Sequence, residues 1–527
     1  MELGPSLVGV GLVTKSIEDT DGPCGSTPSL LEWVNGLVTP GVPSSLSKRI
    51  ARAPFQTEMR NDLDPSPSYT EVIATMQTVK LLEECRVPPA TRGETNVSLA
   101  LTFFDIHWLP FPPIQRLLFY EFPCSHAYFL ETIVPNLKQS LSLTLNHYTP
   151  LAGNLLCPLG TGIPKSRYVL GDSVSLTIAE SSTVFDKLTG NFARDADEFH
   201  AFVPQLPQVK EEPEYKIIPV LALQVTLFPN RGLCFGFTNH HAIGDASSIV
   251  GFIKAWASVS KFSGDSDLIE SKSLPFFDRS VIIDPIGIDT IFWTQVKKFM
   301  VDSPYLALPT NKVRATYILQ QVELKKLKDF VLAKRPFLAH VSSFVATTAY
   351  VWTCLVKSGA AIGEEVDDEE PENFAFTVDC RPRLNPPIPA NYFGNCLGIV
   401  LATSRHCELV ENEGFANAAE VIGKVIQEKV DKEGEILKGA ENWLVQFESL
   451  FGKRLFGVAG SPRFDLYCAD FGWGRPKKIE AVSIDKDGSI SLCKSREFNG
   501  GLEIGLSLPK KKMDAFAAVF SNGLKDL

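Results

Sequence analysis

Alternating apolar residues predict a β-hairpin near the middle of the chain. Leu221, Leu223, Val225 and Leu227 alternate as in a half-buried strand, and after the turn-forming residues 229–232 a second strand is predicted over residues 233–237. The next apolar residues recur at helical spacing, with Asp245 available to cap the first turn: Ile249, Phe252, Ile253, Trp256 and Ala257. His241 is therefore predicted at the break between a strand and a helix.

Strand and helix patterns alternate through the rest of the chain and indicate a mixed α/β fold. In the first half the predicted strands cover residues 79–87, 99–105, 117–122 and 173–178, and the helix covers residues 129–145. In the second half the predicted strands cover residues 315–322 and 374–380, and the helices cover residues 324–334, 342–356 and 416–429. A hairpin is also predicted, in which residues 479–484 meet residues 490–493 across an Asp487-Gly488 turn.

The chain length and two proline-rich stretches predict the division into domains. A chain of 527 residues is too long for one ordinary core. Residues 1–75 are rich in Gly, Pro, Ser and Thr and have little apolar periodicity, so they are predicted to be a poorly ordered extension. We expect one domain over residues 76–262 and another over residues 298–527, joined by a crossover loop and linker over residues 263–297.

Composition and charge exclude several classes of function. The net charge is −10, and no block of Lys and Arg is present that would bind nucleic acid or an anionic membrane. The longest apolar run near the start, residues 7–13, is too short for a membrane span or a signal sequence, so we expect a cytoplasmic protein. We also expect it to act as a monomer. The eleven Cys residues are scattered without Cys-x-x-Cys pairs, which predicts neither disulfides nor a metal site.

The His241-x-x-x-Asp245 pair is a weak signal alone, since a buried histidine bonded to backbone is the commoner explanation. Three further stretches give it context: Asp470-Phe471-Gly472-Trp473-Gly474, Asn391-Tyr392-Phe393-Gly394-Asn395-Cys396, and residues 79–89. Together, in this order and spacing, they resemble the BAHD acyl-CoA-dependent acyltransferases of plants over roughly residues 76–527. Residues 1–75 match nothing in that family, whose members normally begin near Met76, and are expected to be an addition.

The resemblance implies both a fold and a substrate class. The implied fold has two similarly sized α/β domains, each related to chloramphenicol acetyltransferase, with a solvent channel between them that donor and acceptor enter from opposite mouths. The Tyr392-Phe393-Gly394-Asn395-Cys396 motif is similar to that of the subgroup acylating glycosides of anthocyanins, flavonoids and simple phenolics. The implied co-substrate is malonyl-CoA or a hydroxycinnamoyl-CoA, and no bound cofactor is implied.

The implied chemistry is direct transfer assisted by a general base. Histidine suits this task because its unperturbed pKa is about 6.5, so we assign His241 to take the proton of a sugar hydroxyl and return it to the CoA thiolate. No Gly-x-Ser-x-Gly elbow is present, and no Cys lies in a matched catalytic motif, which favours direct transfer over an acyl-enzyme. His240 points to the opposite face and is expected to be packed or solvent-facing. Asn239 is expected to support the base.

The other motif residues have expected roles that are less direct. The resemblance implies that Asp245 is structural and pairs with an arginine, for which Arg381 is the first candidate and Arg383 the second. Trp473 either supplies an N–H to the oxyanion or packs between the domains. The remaining candidates are motif residues of the two Gly-containing segments and a weakly expected site for CoA phosphates, namely Asp470, Gly472, Gly474, Tyr392, Gly394, Asn395, Lys477 and Lys478.

Two other functions stay open from the sequence. A condensation-type domain also carries His-His-x-x-x-Asp, but it normally continues with Gly where Ala246 stands here, and it lacks the Asp-Phe-Gly-Trp-Gly motif. A catalytically silent binding protein on the same scaffold is the third candidate, against which the intact His241 argues.

Overall fold

The structure is a computed structural model that describes residues 79–90, 96–262, 274–298 and 310–527. The predicted extension over residues 1–75 and the first part of the predicted crossover, residues 263–273, lie outside the described residues.

The strands follow the predicted apolar alternation in most places. In chain order they are β1 (Val79–Val87), β2 (Asn96–Ala100), β3 (Ile114–Tyr120), β4 (Asn154–Pro158), β5 (Lys165–Val169), β6 (Val174–Ser181), β7 (Arg194–Asp195), β8 (Lys210–Glu211), β9 (Tyr215–Pro219), β10 (Leu221–Phe228), β11 (Gly232–Asn239), β12 (Lys312–Leu319), β13 (Pro371–Asp379), β14 (Leu397–Arg405), β15 (Arg454–Ala459), β16 (Lys478–Ala481), β17 (Ile490–Lys494) and β18 (Leu502–Pro509).

The helices include the five that the apolar spacing predicts. In chain order they are α1 (Phe103–Ile106), α2 (His126–Tyr128), α3 (Val134–Leu145), α4 (Phe185–Thr189), α5 (Ala246–Lys261), α6 (Ile288–Val296), α7 (Gln321–Lys334), α8 (Ser343–Ala361), α9 (His406–Val410), α10 (Gly414–Lys429), α11 (Trp443–Glu448), α12 (Ile484–Asp487) and α13 (Lys510–Lys525). A π-helical turn, Phe129–Ile133, joins α2 to α3, so the predicted helix over residues 129–145 is continuous.

The predicted central hairpin is confirmed and lies inside a six-stranded sheet with the order β1-β6-β10-β11-β3-β16. β10 pairs antiparallel with β11 and parallel with β6, while β11 pairs antiparallel with β3. Every residue of β10 and β11 is buried, because both faces of these strands are covered. Because β11 is buried up to its last residue, Asn239, the position of the segment that begins at His240 is set by the sheet.

The second half forms a seven-stranded sheet with the order β14-β13-β15-β17-β18-β12-β7, and a five-stranded sheet, β2-β5-β4-β9-β8, lies in the first half. Two short strands each pair with a strand from the other side of the predicted domain boundary. β7, from the first half, pairs with β12, and β16, from the second half, pairs with β3. The ranges 76–262 and 298–527 therefore remain a predicted division of the sequence, but they do not separate the sheets.

The predicted hairpin over residues 479–493 is wrong. β16 pairs with β3 in the first sheet, whereas β17 pairs with β15 and β18 in the second. The Asp487-Gly488 turn is present, but it ends the short helix α12, with Gly488 in the left-handed conformation. Glu480 on β16 forms buried ion pairs with Arg194 of β7 at 2.9 Å and with Arg314 of β12 at 3.2 Å, so these pairs join β16 to the second sheet. Local turn signals encode neither these ion pairs nor the pairing of β16 with β3.

Two further predictions are corrected near the site. The strand predicted over residues 99–105 ends at Ala100, and α1 follows because Thr102 caps it: the Thr102 backbone N and Oγ1 both donate to Asp105 Oδ2, at 3.0 and 2.9 Å. The crossover predicted as a loop over residues 263–297 contains α6, whose Phe292 and Trp293 are buried. One apolar cluster includes side chains from both halves of the chain.

Within the described residues, none of the helices combines the length and the apolar character that a bilayer crossing requires.

Candidate active site

His241 lies directly beyond β11, in a turn of 3₁₀-helix, His241–Ile243, that leads into α5. Gly244 makes this tight turn possible, since a Cβ at that position would come within 2.9 Å of the Ser248 Cβ. Asp245 then caps α5 by accepting from the Ser248 backbone N at 3.2 Å. The local sequence thus fixes an imidazole between a buried strand and a buried helix start.

The imidazole of His241 stacks on the indole of Trp108, with ring centroids 3.9 Å apart and planes 9° from parallel. The His241 residue is half-buried, and its Nδ1 is buried without a hydrogen-bond partner among the described residues. Burial lowers the pKa of His241 to about 4, against the opposing effects of Asp245 and Asn395. His241 is therefore neutral near pH 7 in the free protein, which is the protonation state that a general base requires.

Asp245 is fully engaged away from the imidazole. Its Oδ2 accepts from Arg381 Nη1 at 2.7 Å and its Oδ1 accepts from Arg381 Nη2 at 3.2 Å, a bidentate pair in which both side chains are buried. The Cys396 backbone N also donates to Oδ2, at 3.2 Å. The structure thus places Arg381, the first predicted candidate, at Asp245, while Arg383 donates to the Asp379 carbonyl oxygen instead.

Arg381 also connects the segment after β13, in which it lies, to the segment before β14. Arg381 Nη2 donates to the carbonyl oxygens of Tyr392 and Gly394, at 3.0 and 3.1 Å. The Ser248 hydroxyl also donates to the Gly394 carbonyl, at 3.0 Å. Gly394 has a φ of 141°, and a Cβ there would come within 3.0 Å of the Arg279 guanidinium. The Tyr392-Phe393-Gly394 motif is therefore built to pack against the start of α5.

Asn395 connects this motif to the base. Its backbone N and its Nδ2 both donate to Asp105 Oδ1, at 2.8 and 3.0 Å, and Nδ2 also donates to the His241 carbonyl oxygen at 3.0 Å. Its Oδ1 is buried without a partner among the described residues, as is Nδ1 of His241. The Asn395 side chain raises the pKa of His241, although the pair falls short of a well-formed hydrogen bond. This amide, rather than a carboxylate, faces the imidazole.

The two residues before His241 have supporting positions. His240 is buried and its Nδ1 accepts from the Ala242 backbone N at 3.2 Å, so it caps the turn, in line with the packed role expected for it. Burial lowers the pKa of His240 to about 4. Asn239 is buried, and its Nδ2 donates to the His240 carbonyl oxygen at 3.3 Å.

The Asp470–Gly474 motif forms a closed loop at the far end of α5. Asp470 Oδ1 accepts from the backbone N of Gly472 and of Gly474, at 2.9 and 2.8 Å, and Lys261 Nζ donates to Oδ2 at 2.7 Å. The Trp473 ring lies 5.2 Å from Tyr120 and 5.1 Å from Phe471. These ring contacts fit the expectation that Trp473 packs against other side chains. The alternative, that Trp473 supplies an N–H to the oxyanion, remains a prediction.

The predicted lysine pair is not an exposed pair. Lys478 is buried, and its Nζ donates to Asn191 Oδ1 and Thr316 Oγ1, each at 2.6 Å, so it is not available to CoA phosphates and that part of the prediction is wrong. It lies on β16, whose pairing with β3 the sequence did not reveal. Lys477 already pairs with Asp186 at 3.2 Å and Glu121 at 3.4 Å.

Sequence reasoning missed the residues after β2 that complete the site. Asp105 accepts a hydrogen bond from Asn395, and Trp108 stacks on His241. His107, which lies between Asp105 and Trp108 in the sequence, is buried, and its Nδ1 donates to the Phe103 carbonyl oxygen at 3.1 Å. Burial lowers the pKa of His107 to about 3. The available signal was an Asp, a His and a Trp in an otherwise apolar stretch, of which only Asp105 fell in the strand predicted over residues 99–105.

Comparisons with known proteins agree with this geometry. The Transferase family model matches residues 77–522. The chain is 49% identical over 449 residues to the malonyl-coenzyme:anthocyanin 5-O-glucoside-6'''-O-malonyltransferase of Salvia splendens, covering 84% of this chain and 95% of that protein. It is 48% identical over 452 residues to phenolic glucoside malonyltransferase 1 of Nicotiana tabacum, covering 85% of this chain and 99% of that protein.

The fold has a counterpart among solved structures. The crystal structure of vinorine synthase matches with a TM-score of 0.62 and 21% identity, covering 83% of this chain and 96% of that chain. The expected architecture, two chloramphenicol-acetyltransferase-like halves, is thereby confirmed. With the family model spanning nearly all of the described residues, the chain belongs to the Transferase family, the BAHD acyl-CoA-dependent acyltransferases that its motifs predicted.

Proposed function

We propose that this protein transfers an acyl group, malonyl by preference, from acyl-CoA to a sugar hydroxyl of a phenolic, flavonoid or anthocyanin glycoside. The observation that carries the proposal is a neutral, half-buried His241, held by Trp108 and Asn395 where the two halves of the chain meet. Malonyl is preferred as the donor because the two relatives named above are both malonyltransferases. Hydroxycinnamoyl-CoA is the competing donor.

The proposed reaction begins with the removal of a proton from the acceptor. The sugar oxygen attacks the thioester carbonyl carbon while its proton passes to Nε2 of His241, which is neutral because burial holds its pKa at about 4. The tetrahedral intermediate then collapses, the carbon–sulfur bond breaks, and the imidazolium returns the proton to the departing thiolate. The products are the ester and free CoA.

Three residues around His241 offset part of the effect of burial, which disfavours the transient imidazolium that this path requires. The indole face of Trp108 lies parallel to the ring and attracts a cation by its π electrons. The Asn395 amide and the Asp245 carboxylate both raise the pKa of the imidazole. We therefore propose that Asp245 acts structurally through Arg381, and that Asn395 orients the base in the place that the aspartate has in a hydrolase triad.

The remaining expectations belong to the same proposal. We propose that the enzyme acts as a cytoplasmic monomer, with acyl-CoA as a diffusible co-substrate and no bound cofactor. Plant secondary metabolism is the setting proposed for it, as for the relatives from Salvia splendens and Nicotiana tabacum.

The test is a donor and acceptor matrix with the purified full chain. Malonyl-CoA and coumaroyl-CoA are each incubated with a phenyl glucoside, a flavonoid glucoside and no acceptor, while free thiol is recorded and the ester is identified by mass spectrometry. The proposal predicts thiol release that depends on the glycoside and is faster with malonyl-CoA. Donor binding without glycoside-dependent thiol release would instead favour a silent binding protein.

A further inference from the structure

A line of aromatic side chains leads from the catalytic imidazole towards the surface. Trp108 stacks on His241, the Phe111 ring lies 4.9 Å from the Trp108 ring, and the Phe447 ring lies 5.6 Å from that of Phe111. Trp108 is buried, whereas Phe111 and Phe447 are half-buried. We call these three residues the aromatic wall. It is assembled from two distant parts of the sequence, the segment after α1 and helix α11.

A buried cluster behind the aromatic wall holds its two parts together. The His107 ring lies 6.0 Å from Phe292 of α6 and 5.9 Å from Trp443 of α11, in edge-to-face contacts. All three side chains are buried. Because α6 comes from the crossover and α11 from the second half, Phe111 and Phe447 are presented by a packed support rather than by a free loop.

The charged residues of α11, the helix that carries Phe447, favour one class of substrate over another. On α11 and the turn before it, the charged side chains are Glu441 and Glu448, both acidic. Acidic groups repel the phosphates of CoA and the carboxylate of a malonyl group. They do not repel a neutral phenol or flavonoid, and they attract a cationic anthocyanidin ring.

We propose that Trp108, Phe111 and Phe447 form the subsite that binds the planar aromatic aglycone of the acceptor. This proposal rests on the proposed function, since it assigns part of that same site. When an aglycone lies against Phe111 and Phe447, its sugar extends inward to the imidazole of His241. The hydroxyl that reaches His241 is then selected by the length of the sugar between the aglycone and the base.

The test compares two acceptors on the same variants. Phe447→Ala and Phe111→Ala are assayed with an aromatic glucoside and with an alkyl glucoside, at saturating acyl-CoA. One ring contact contributes about 0.5–1.5 kcal/mol, so the ratio of kcat/KM for the aromatic over the alkyl glucoside is expected to fall about two- to tenfold in each variant. Phe447→Tyr keeps the ring and is expected to restore the ratio, while the KM for acyl-CoA stays within about twofold.

The control is Phe337→Ala, because Phe337 is 68% exposed and follows α7 in the second half. The aglycone subsite is overturned if both acceptors lose activity equally, if neither does, or if the KM for coumaroyl-CoA rises instead, since that result would assign the wall to the donor. Direct titration of the aromatic glucoside by calorimetry, without acyl-CoA, separates this proposal from the proposed function. Wild-type binding that weakens in Phe447→Ala supports the subsite even if no transfer is seen, and the absence of wild-type binding refutes it.

Discussion

Replacing Asp245 by Asn tests whether this residue supports the fold or the proton transfer. The substitution keeps the shape and the helix cap but removes the charge facing Arg381, and both partners are buried. Removing one partner of a buried ion pair costs about 3–5 kcal/mol. Arg381 keeps a contact with Asp379 at 3.1 Å, which is partly exposed, so we expect a loss of about 3 kcal/mol, at the lower end of that range.

Thermal unfolding measures this loss. In a domain of 150–250 residues, a loss of about 3 kcal/mol lowers Tm by roughly 6–12 °C. The double variant Asp245→Asn, Arg381→Gln removes the uncompensated charge and is expected to recover part of the Tm. Asp379→Asn is the matched control, since it breaks only the partly exposed contact of the same arginine and is expected to cost about 1 kcal/mol or less.

The activity of folded Asp245→Asn decides between the two roles. Below its Tm, we expect the variant to keep kcat within about tenfold of wild type, because Asn395 rather than Asp245 faces the imidazole. Loss of the orienting aspartate of a true triad lowers kcat by about 10⁴. A variant with normal Tm and a loss of that size would refute the structural assignment of Asp245.

Four further predictions concern the base and the chain start. In the wild type, kcat/KM is expected to be constant from neutral pH downwards and to fall only as His241 is protonated, with an apparent pKa nearer 4 than 6.5; an acid limb centred at 6.5 would contradict the burial argument. Trp108→Leu removes the stacked π face and is expected to lower kcat about two- to tenfold, whereas Trp108→Phe retains most of the rate. Asn395→Ala is expected to lower kcat at least about tenfold without changing the KM for acyl-CoA, and an unchanged kcat would remove its orienting role. A chain that begins at Met76 is expected to match the full chain in Tm and turnover, and a Tm loss of several degrees, about 1 kcal/mol or more, would show that the extension packs on the fold.

Local signals predicted the position of His241 well. The alternation in β10 and β11, the turn before β11 and the helical spacing in α5 are all short-range patterns, and each depends on residues within one hairpin or one helix. The arginine that pairs with the Asp245 carboxylate could not be found from such short-range patterns. Arg381 lies 136 positions away from Asp245 in the sequence, and only the family resemblance pointed to it.

The errors arose where long-range pairing overrides a local pattern. β16 pairs with β3 from the first half of the chain rather than with its neighbour in sequence, and Lys478 on β16 is buried. Buried ion pairs from Glu480 to Arg194 and Arg314 join β16 to the second sheet as well. Asp105, which holds Asn395, was assigned to the strand over residues 99–105, and Trp108, which covers the base, was given no role. The pattern of an apolar run does not indicate which distant residues its members will contact. The aromatic wall joins segments separated by more than three hundred positions, so no sequence window contains it.

The rate of a single turnover in His241→Ala tests the general-base assignment most directly. With a malonyl-CoA-loaded enzyme and an aromatic glucoside, loss of the base is expected to slow ester formation by about 10²–10⁴ while Tm and donor binding are retained. His126→Ala, which removes a histidine exposed at the surface, is the control and is expected to keep the wild-type rate. Retention of more than about one hundredth of the wild-type rate in His241→Ala would contradict the account.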